Sequence, residues 1–179
     1  FLGYAGASNT ATLACTPGSS TITTPSSVGD KEYFAVWQKS GQTLTKDETL
    51  THTFYIGVTD AGEDITTTKT NTKTITYTNC TVTYNYELTA LSTTYGTVSS
   101  TSATKISYMP TNPNPEGYEA YSFAGWATSA TATVSTADMS PKVATTYYAT
   151  WFRQLTLTIS YNSNGVGTNP TGKTTGTAN

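Results

Sequence analysis

Phe123-Ala124-Gly125-Trp126, followed after a polar stretch by Tyr147-Tyr148-Ala149-Thr150-Trp151, is the pair of segments on which the reading of this chain turns. The same order of residue classes occurs earlier: Phe1-Leu2-Gly3-Tyr4, a polar stretch, then Tyr33-Phe34-Ala35-Val36-Trp37. The spacing between the two ends differs by a few residues, which a surface loop accommodates at small entropic cost. Recurrence in a fixed order is the signature of a repeat architecture. We therefore expect two copies of the second half of a repeat.

Around these segments the dominant pattern is alternation, the mark of half-buried strands. Val82, Tyr84 and Tyr86 share one face, opposite Thr81, Thr83 and Asn85. Leu155, Leu157, Ile159 and Tyr161 alternate with Thr156, Thr158 and Ser160. Phe54, Ile56 and Val58 form another stripe, as do Lys73, Ile75 and Tyr77, and Tyr147, Ala149 and Trp151. Apolar faces backed by threonines describe antiparallel sheet with one side in water. The first half of a repeat is also read twice, at 81–86 and from about 155. Turn chemistry separates the stripes. Asp60-Ala61-Gly62-Glu63-Asp64 reads as a hairpin tip between strands near 50–58 and 65–78. Asn162-Ser163-Asn164-Gly165 closes the strand at 155–161. The prolines of 111–117 make a connector unable to join a ladder.

Composition agrees. Of 179 residues, about a quarter are threonine, 13 are tyrosine and only 11% are charged, against roughly 25% charged in an average domain. Thr and Tyr suit a pleated surface, and helix-favouring residues are scarce. The expected fold class is all-β or β-rich. Net charge is −2 with no basic cluster, so a nucleic-acid partner, which requires cations against phosphates, is not expected. No apolar run approaches the ~20 residues that span a bilayer. Low charge and abundant hydroxyls point to an extracellular, cell-surface location.

Chemistry-bearing residues are few. His52, within Thr51-His52-Thr53, has no nucleophile motif near it. Asp60, Glu63 and Asp64 are the one acidic cluster: a solvated turn, or oxygen ligands for Ca²⁺. Cys15 and Cys80 are either two small buried hydrophobes or a disulfide closing a long loop, worth ~4 kcal/mol in the chain-entropy model. Asn79-Cys80-Thr81 has the pattern of a glycosylation sequon. Lys31, Lys105 and Lys142 are candidates for a Lys–Asn cross-link. No catalytic residue, cofactor or firm metal site is expected, and an enzyme is not.

The run Pro115-Glu116-Gly117-Tyr118, then Phe123-Ala124-Gly125-Trp126, ending in Tyr148-Ala149-Thr150-Trp151, resembles the Listeria–Bacteroides repeat, also called the internalin B-repeat. That family has an opening strand ending in Asn-Gly-Gly, a Gly-Tyr-x-Phe-x-Gly-Trp core and a closing Leu-x-Ala-x-Trp. Tyr161-Asn162-Ser163-Asn164-Gly165 looks like the opening of a further copy. Tyr4 stands where the family has Trp, Glu119 and Ala120 widen the central gap, and 81–86 lacks Asn-Gly-Gly. The resemblance implies small β-grasp-like modules in tandem on a bacterial surface protein, without catalysis.

The expected division is 1–37 as the C-terminal half of a repeat, 38–80 as an added hairpin region, 81–153 as a complete module and 154–179 as the N-terminal half of another. The expected core is Phe1, Tyr4 and Trp37 in one copy, and Tyr118, Phe123, Gly125, Trp126, Tyr148 and Trp151 in the other. A large aromatic buries ~150–250 Å². The expected role is a structural or adhesive surface protein whose partner is itself, head to tail through strand complementation of split repeats, or neighbouring repeats of a longer chain. The alternatives are a carbohydrate- or protein-binding module of an adhesin, facing a surface glycan or protein, and a phage fibre or decoration protein.

Overall fold

Alternating threonines and apolar residues fold as the pattern requires. A computed structural model describes residues 1–22, 29–159 and 174–178, and these contain nine strands and no helix. The turn expected at 162–165 lies outside the described residues. The strands are β1 (Gly3–Ala5), β2 (Phe34–Val58), β3 (Asp64–Tyr84), β4 (Ala90–Thr94), β5 (Thr97–Ala103), β6 (Ser122–Ala127), β7 (Thr146–Phe152), β8 (Leu155–Ile159) and β9 (Thr174–Ala178). Seven form one sheet with the path β4-β3-β2-β7-β6, to which β1 adds on β2 and β5 on β3. β8 and β9 form a separate antiparallel pair.

β2 and β3 are unusually long, 25 and 21 residues, against a typical five or six. The turn between them is the acidic one foreseen. The Thr59 N–H donates to the Glu63 carbonyl and the Gly62 N–H to the Thr59 carbonyl, both at 2.8 Å. Gly62 takes a φ of 82°, which a side chain would resist.

The two long strands are shared between two compact units. One unit is Phe1–Glu48 with Thr72–Ala103; the other is Thr49–Asn71 with Thr104–Asn179. This cuts the chain differently from the expected segments. The 38–80 region does not stand apart as one piece: its middle, 49–71, belongs to the second unit and its two ends to the first. The span 81–153 is also divided: β4 and β5 pair with β3 in the first unit, while β6 and β7 pair in the second. The reason is strand length. A strand that runs on past the reach of one core enters another.

In the first unit β3 buries Ile75, Cys80, Val82 and Thr83, while β2 is exposed over 37–41 and at Thr43, Thr45, Lys46 and Asp47. Polar cross-strand contacts line it: Thr74 Oγ1 donates to Asp47 Oδ1 at 2.6 Å, and Lys73 Nζ lies 3.4 Å from Glu48 Oε2. Such exposed pairs contribute little each. Backbone pairing with β5 supplies the continuity.

In the second unit the order is β3, β2, β7, β6. β2 and β7 run parallel, with Thr53 opposite Thr146, Phe54 opposite Tyr147 and Tyr55 opposite Tyr148. β6 is antiparallel to β7. The opening hairpin of this arrangement is therefore 49–58 with 64–71, and not the strand at 81–86.

A buried polar knot ties its far end. His52 is 1% exposed. Its Nδ1 accepts from the Thr145 N–H at 3.2 Å, and its Nε2 lies 2.9 Å from Asn71 Oδ1. The amide proton on Thr145 makes Nδ1 the acceptor, so Nε2–H is the donor to Asn71. Asn71 Nδ2 donates in turn to the carbonyls of Thr104 and Pro141 at 2.9 and 3.0 Å. One side chain thus fastens β3 to the loops on both sides of β6. Replacing Asn71 by Ala leaves buried groups without partners, each costing about 1–3 kcal/mol. Urea unfolding of Asn71→Ala is expected to show a loss of about 3 kcal/mol.

Candidate functional site

The second unit is organised by an aromatic clamp. Phe54, on β2, is fully buried and sits against three rings. It stacks on Tyr147 of β7 at 4.8 Å and meets Trp126 of β6 edge-on at 4.7 Å. Tyr108, from the irregular segment before β6, closes the cluster at 5.5 Å from Phe54 and stacks on Trp126. Ile106 completes the buried core. The polar ends of these rings are satisfied, as buried Tyr and Trp require. Trp126 Nε1–H donates to the Tyr108 carbonyl at 2.8 Å and the Tyr147 hydroxyl to the Asp138 carbonyl at 2.7 Å. Outside this core, Trp151 Nε1–H donates to the Ile56 carbonyl at 2.9 Å, and Tyr148 stacks on Tyr55 at 5.0 Å. Every one of these links joins the hairpin of β2 to the β6–β7 pair or braces that pair.

The β6–β7 pair has a counterpart in the first unit, in β1 and the start of β2. Gly125 faces Thr150, Trp126 faces Ala149 and Ala127 faces Tyr148. In the other pair Gly3 faces Val36, Tyr4 faces Ala35 and Ala5 faces Phe34. The registers are the same, residue for residue. The glycines share a backbone conformation, φ of 145° at Gly125 and 153° at Gly3. A Cβ on Gly125 would strike Ser135, and one on Gly3 would lie 2.7 Å from Cys15 Sγ. Phe123 meets Trp126 at 5.1 Å and Trp151 at 5.6 Å. Phe1 meets Tyr4 and Trp37 at those same two distances.

What differs is what covers them. Trp126 is 4% exposed, and the expectation of an interior ring holds there. Phe123, Tyr148 and Trp151 are half-buried. Phe1 and Trp37 are 46% and 39% exposed, so they are not core residues as expected. Tyr4 is half-buried. Tyr118, at 55%, is also no core residue. It lies against Tyr121 on the surface, in a loop held by Asn112 Nδ2, which donates to the carbonyls of both tyrosines.

The remaining expectations fall as follows. Cys15 and Cys80 are both buried and free, so the disulfide is not formed. Cys15 is engaged elsewhere: its sulfur fills the niche over Gly3 and accepts from the Tyr4 N–H at 3.2 Å. The carboxylates of Asp60, Glu63 and Asp64 do not assemble a cation site; among the described residues no group of three metal-ligating side chains converges. Asp60 Oδ1 instead accepts from the Glu116 N–H at 2.9 Å. Lys31, Lys105 and Lys142 are exposed, as is Asn79 of the sequon. An open cleft of about 340 Å³ lies in the second unit, among Gly57, Pro113, Tyr118, Tyr121 and Trp151.

Sequence reasoning missed Phe54 and Tyr147 as partners of Trp126 and placed Tyr148 in the core instead. The signal was present. Alternation puts Tyr147, Ala149 and Trp151 on one face, and Tyr148 on the other.

No family model, no curated protein and no solved structure matches this chain.

Burial raises the Tyr147 phenol above its ordinary value of 10.0, and the nearby Asp138 carboxylate raises it further, with a hydrogen bond to Thr145 opposing. The folded state therefore holds the neutral phenol. Its contribution is complete below the unfolded value and is lost as pH rises through the folded one. Tyr147→Phe is expected to remove this alkaline-labile part. Chemical denaturation from pH 8 to 11 should show the wild-type stability falling more steeply above about pH 10 than that of the variant.

Proposed function

We propose that this chain is a non-catalytic, extracellular structural or adhesive protein of bacterial surface type. It is built from β-grasp-like repeat modules resembling the internalin B-repeat and works by holding sheets together. The observation that carries this reading is the shared register of β1 with the start of β2 and of β6 with β7, one pair clamped by a hairpin. A parallel central pair flanked on either side, in the order β3-β2-β7-β6, supports a small mixed-sheet module.

Two further features favour a structural role. The only histidine in the chain is buried, with both ring nitrogens engaged in holding loops. Exposed threonines recur along β2 and β3, at Thr43, Thr45, Thr49, Thr51, Thr66 and Thr68, which suits a solvated stalk. If self-association runs head to tail, one kind of contact repeated without closure generates a filament. Electron microscopy and sedimentation of the purified chain at tens of micromolar are expected to reveal elongated multimers. A compact monomer at all concentrations, with no adhesion to cells or matrix, would remove this reading.

A second reading, a carbohydrate- or protein-binding module, is favoured by the cleft at Tyr118, Tyr121 and Trp151. Amphipathic rings beside an amide are suited to sugar faces. Tyr118 and Tyr121 lie outside the buried core, so the double change Tyr118→Ala/Tyr121→Ala is expected to abolish any glycan binding on an array while shifting Tm by only a few degrees. Binding unaffected by the double change would place recognition elsewhere.

A further inference from the structure

We infer that the cleft of the second unit at Tyr118, Tyr121 and Trp151 takes a saccharide ring that carries a carboxylate, and that Arg153 beside it is the group that reads the acid. This rests on the second reading above, a binding module, and names its ligand class.

The loop that walls the cleft is held in one shape. Asp60 Oδ1, in the turn between β2 and β3, accepts from the Glu116 N–H at 2.9 Å. Asn112 Nδ2 donates to the carbonyls of Tyr118 and Tyr121 at 3.0 and 2.8 Å, and Asn112 Oδ1 accepts from the Asn114 N–H at 2.9 Å. Asn114 and Gly117 take φ of 52° and 83°, a left-handed backbone that Asn and Gly tolerate. Pro113 closes on Gly57 of β2, where a Cβ would lie 3.0 Å from Pro113 Cγ. Trp151, from β7, is pinned by its bond to the Ile56 carbonyl. Rings held in this way lose little freedom on binding, which favours a ligand that stacks on them. A volume of about 340 Å³ is at the small end of ligand sites, roughly 300–1,000 Å³. It fits a short saccharide better than a folded partner.

Charge narrows the ligand further. Arg153 is the only arginine in the chain. It is exposed, two residues beyond Trp151, and its Cζ lies 5.6 Å from the centroid of the Tyr121 ring. All eleven acidic side chains lie among the described residues, and none of them forms an ion pair with it. A ring face holds a guanidinium in place without neutralising it. The planar fork of N–H donors then matches a carboxylate through two parallel hydrogen bonds. Two neighbouring carboxylates are engaged in the loop itself: Asp60 on the Glu116 N–H, and Glu119, whose Oε1 accepts from the Gly117 N–H at 3.1 Å. Glu116 is exposed and opposes an anion, so the acid group belongs at the Arg153 end. The C–H face of the sugar lies against the tyrosine rings, which are apolar in body and polar at the tip. A uronic acid and a sialic acid share this chemistry, and the probes below separate them.

Full-length protein is titrated calorimetrically with oligosaccharides ending in glucuronate, galacturonate or sialic acid, and with the same oligosaccharides after reduction of the carboxyl to the alcohol. At low salt at least one acidic form is expected to bind roughly tenfold tighter than its reduced form, the scale of one hydrogen-bonded charge. High salt is expected to narrow the gap. Arg153→Gln is expected to bring the acidic form down to the level of the reduced one and to leave the reduced one unchanged, with the near-ultraviolet circular dichroism of the Trp126 core retained. Arg153→Lys, which keeps the charge without the fork, is expected to recover part of the preference, and Glu116→Gln to increase it. Equal binding of acidic and reduced forms would overturn this inference and leave the second reading standing. An acid preference that survives Arg153→Gln would overturn the residue assigned. Weaker acid binding in Glu116→Gln would mean that the cleft reads a cation. Displacement of the sugar by a polyglutamate peptide at equal concentration would overturn the saccharide. A wild type that binds none of the sugars would overturn both this inference and the carbohydrate form of the second reading.

Discussion

Phe54 stacked on Tyr147 and set edge-on against Trp126 is the contact on which the second unit depends. It is the place where a hairpin and a distant strand pair share one interior. Phe54 and Tyr147 are 93 positions apart by number, yet they face each other across a parallel pairing that backbone hydrogen bonds alone hold weakly. A core this small has few residues to spare. Removing one ring would open the face of the other two. The polar ends of Tyr147, Trp126 and Trp151 are each bound to a backbone carbonyl, so the cluster also fixes three loop or strand carbonyls in place.

The His52–Asn71 knot complements the rings. It sits on β2, two positions before Phe54, and on β3 at Asn71, and reaches the segments that precede β6 and β7. A buried polar network of this kind must be fully satisfied to be tolerated, and among the described residues no buried side-chain polar atom lacks a partner. The rings give the unit its apolar stability and the knot gives it a single alignment of loops. The first unit has the strand pair and the glycine of the second, but among the described residues no ring stands over that pair as Phe54 does and no carbonyl accepts from Trp37 as that of Ile56 does from Trp151. Its exposed Phe1 and Trp37 are the physical consequence.

Much of this was legible in the linear pattern. Alternating threonine and apolar residues gave strands, and the acidic Gly-containing turn at 60–64 gave the hairpin tip. The recurrence of Phe-x-Gly-aromatic with a later aromatic-x-Trp gave the two equivalent strand pairs, down to register. Burial was legible only where alternation was followed strictly, which favours Tyr147 over Tyr148. The hairpin that completes the second unit was not legible. The strand at 81–86 and the strand at 50–58 carry similar alternation, and pattern alone does not say which lies beside β7. The cysteines were equally silent, because Cys15 is held by a local niche over Gly3 and not by a distant thiol.

Sequence by itself determined the class of structure, the positions of most strands and the twofold occurrence of an aromatic strand pair, because these follow from local side-chain periodicity and turn chemistry. Tertiary structure alone decided which hairpin meets which pair, how the long strands divide between two units and which aromatics are covered. Those outcomes depend on long-range parallel pairing and on whether a complementary ring arrives to exclude water, neither of which leaves a local trace in the chain.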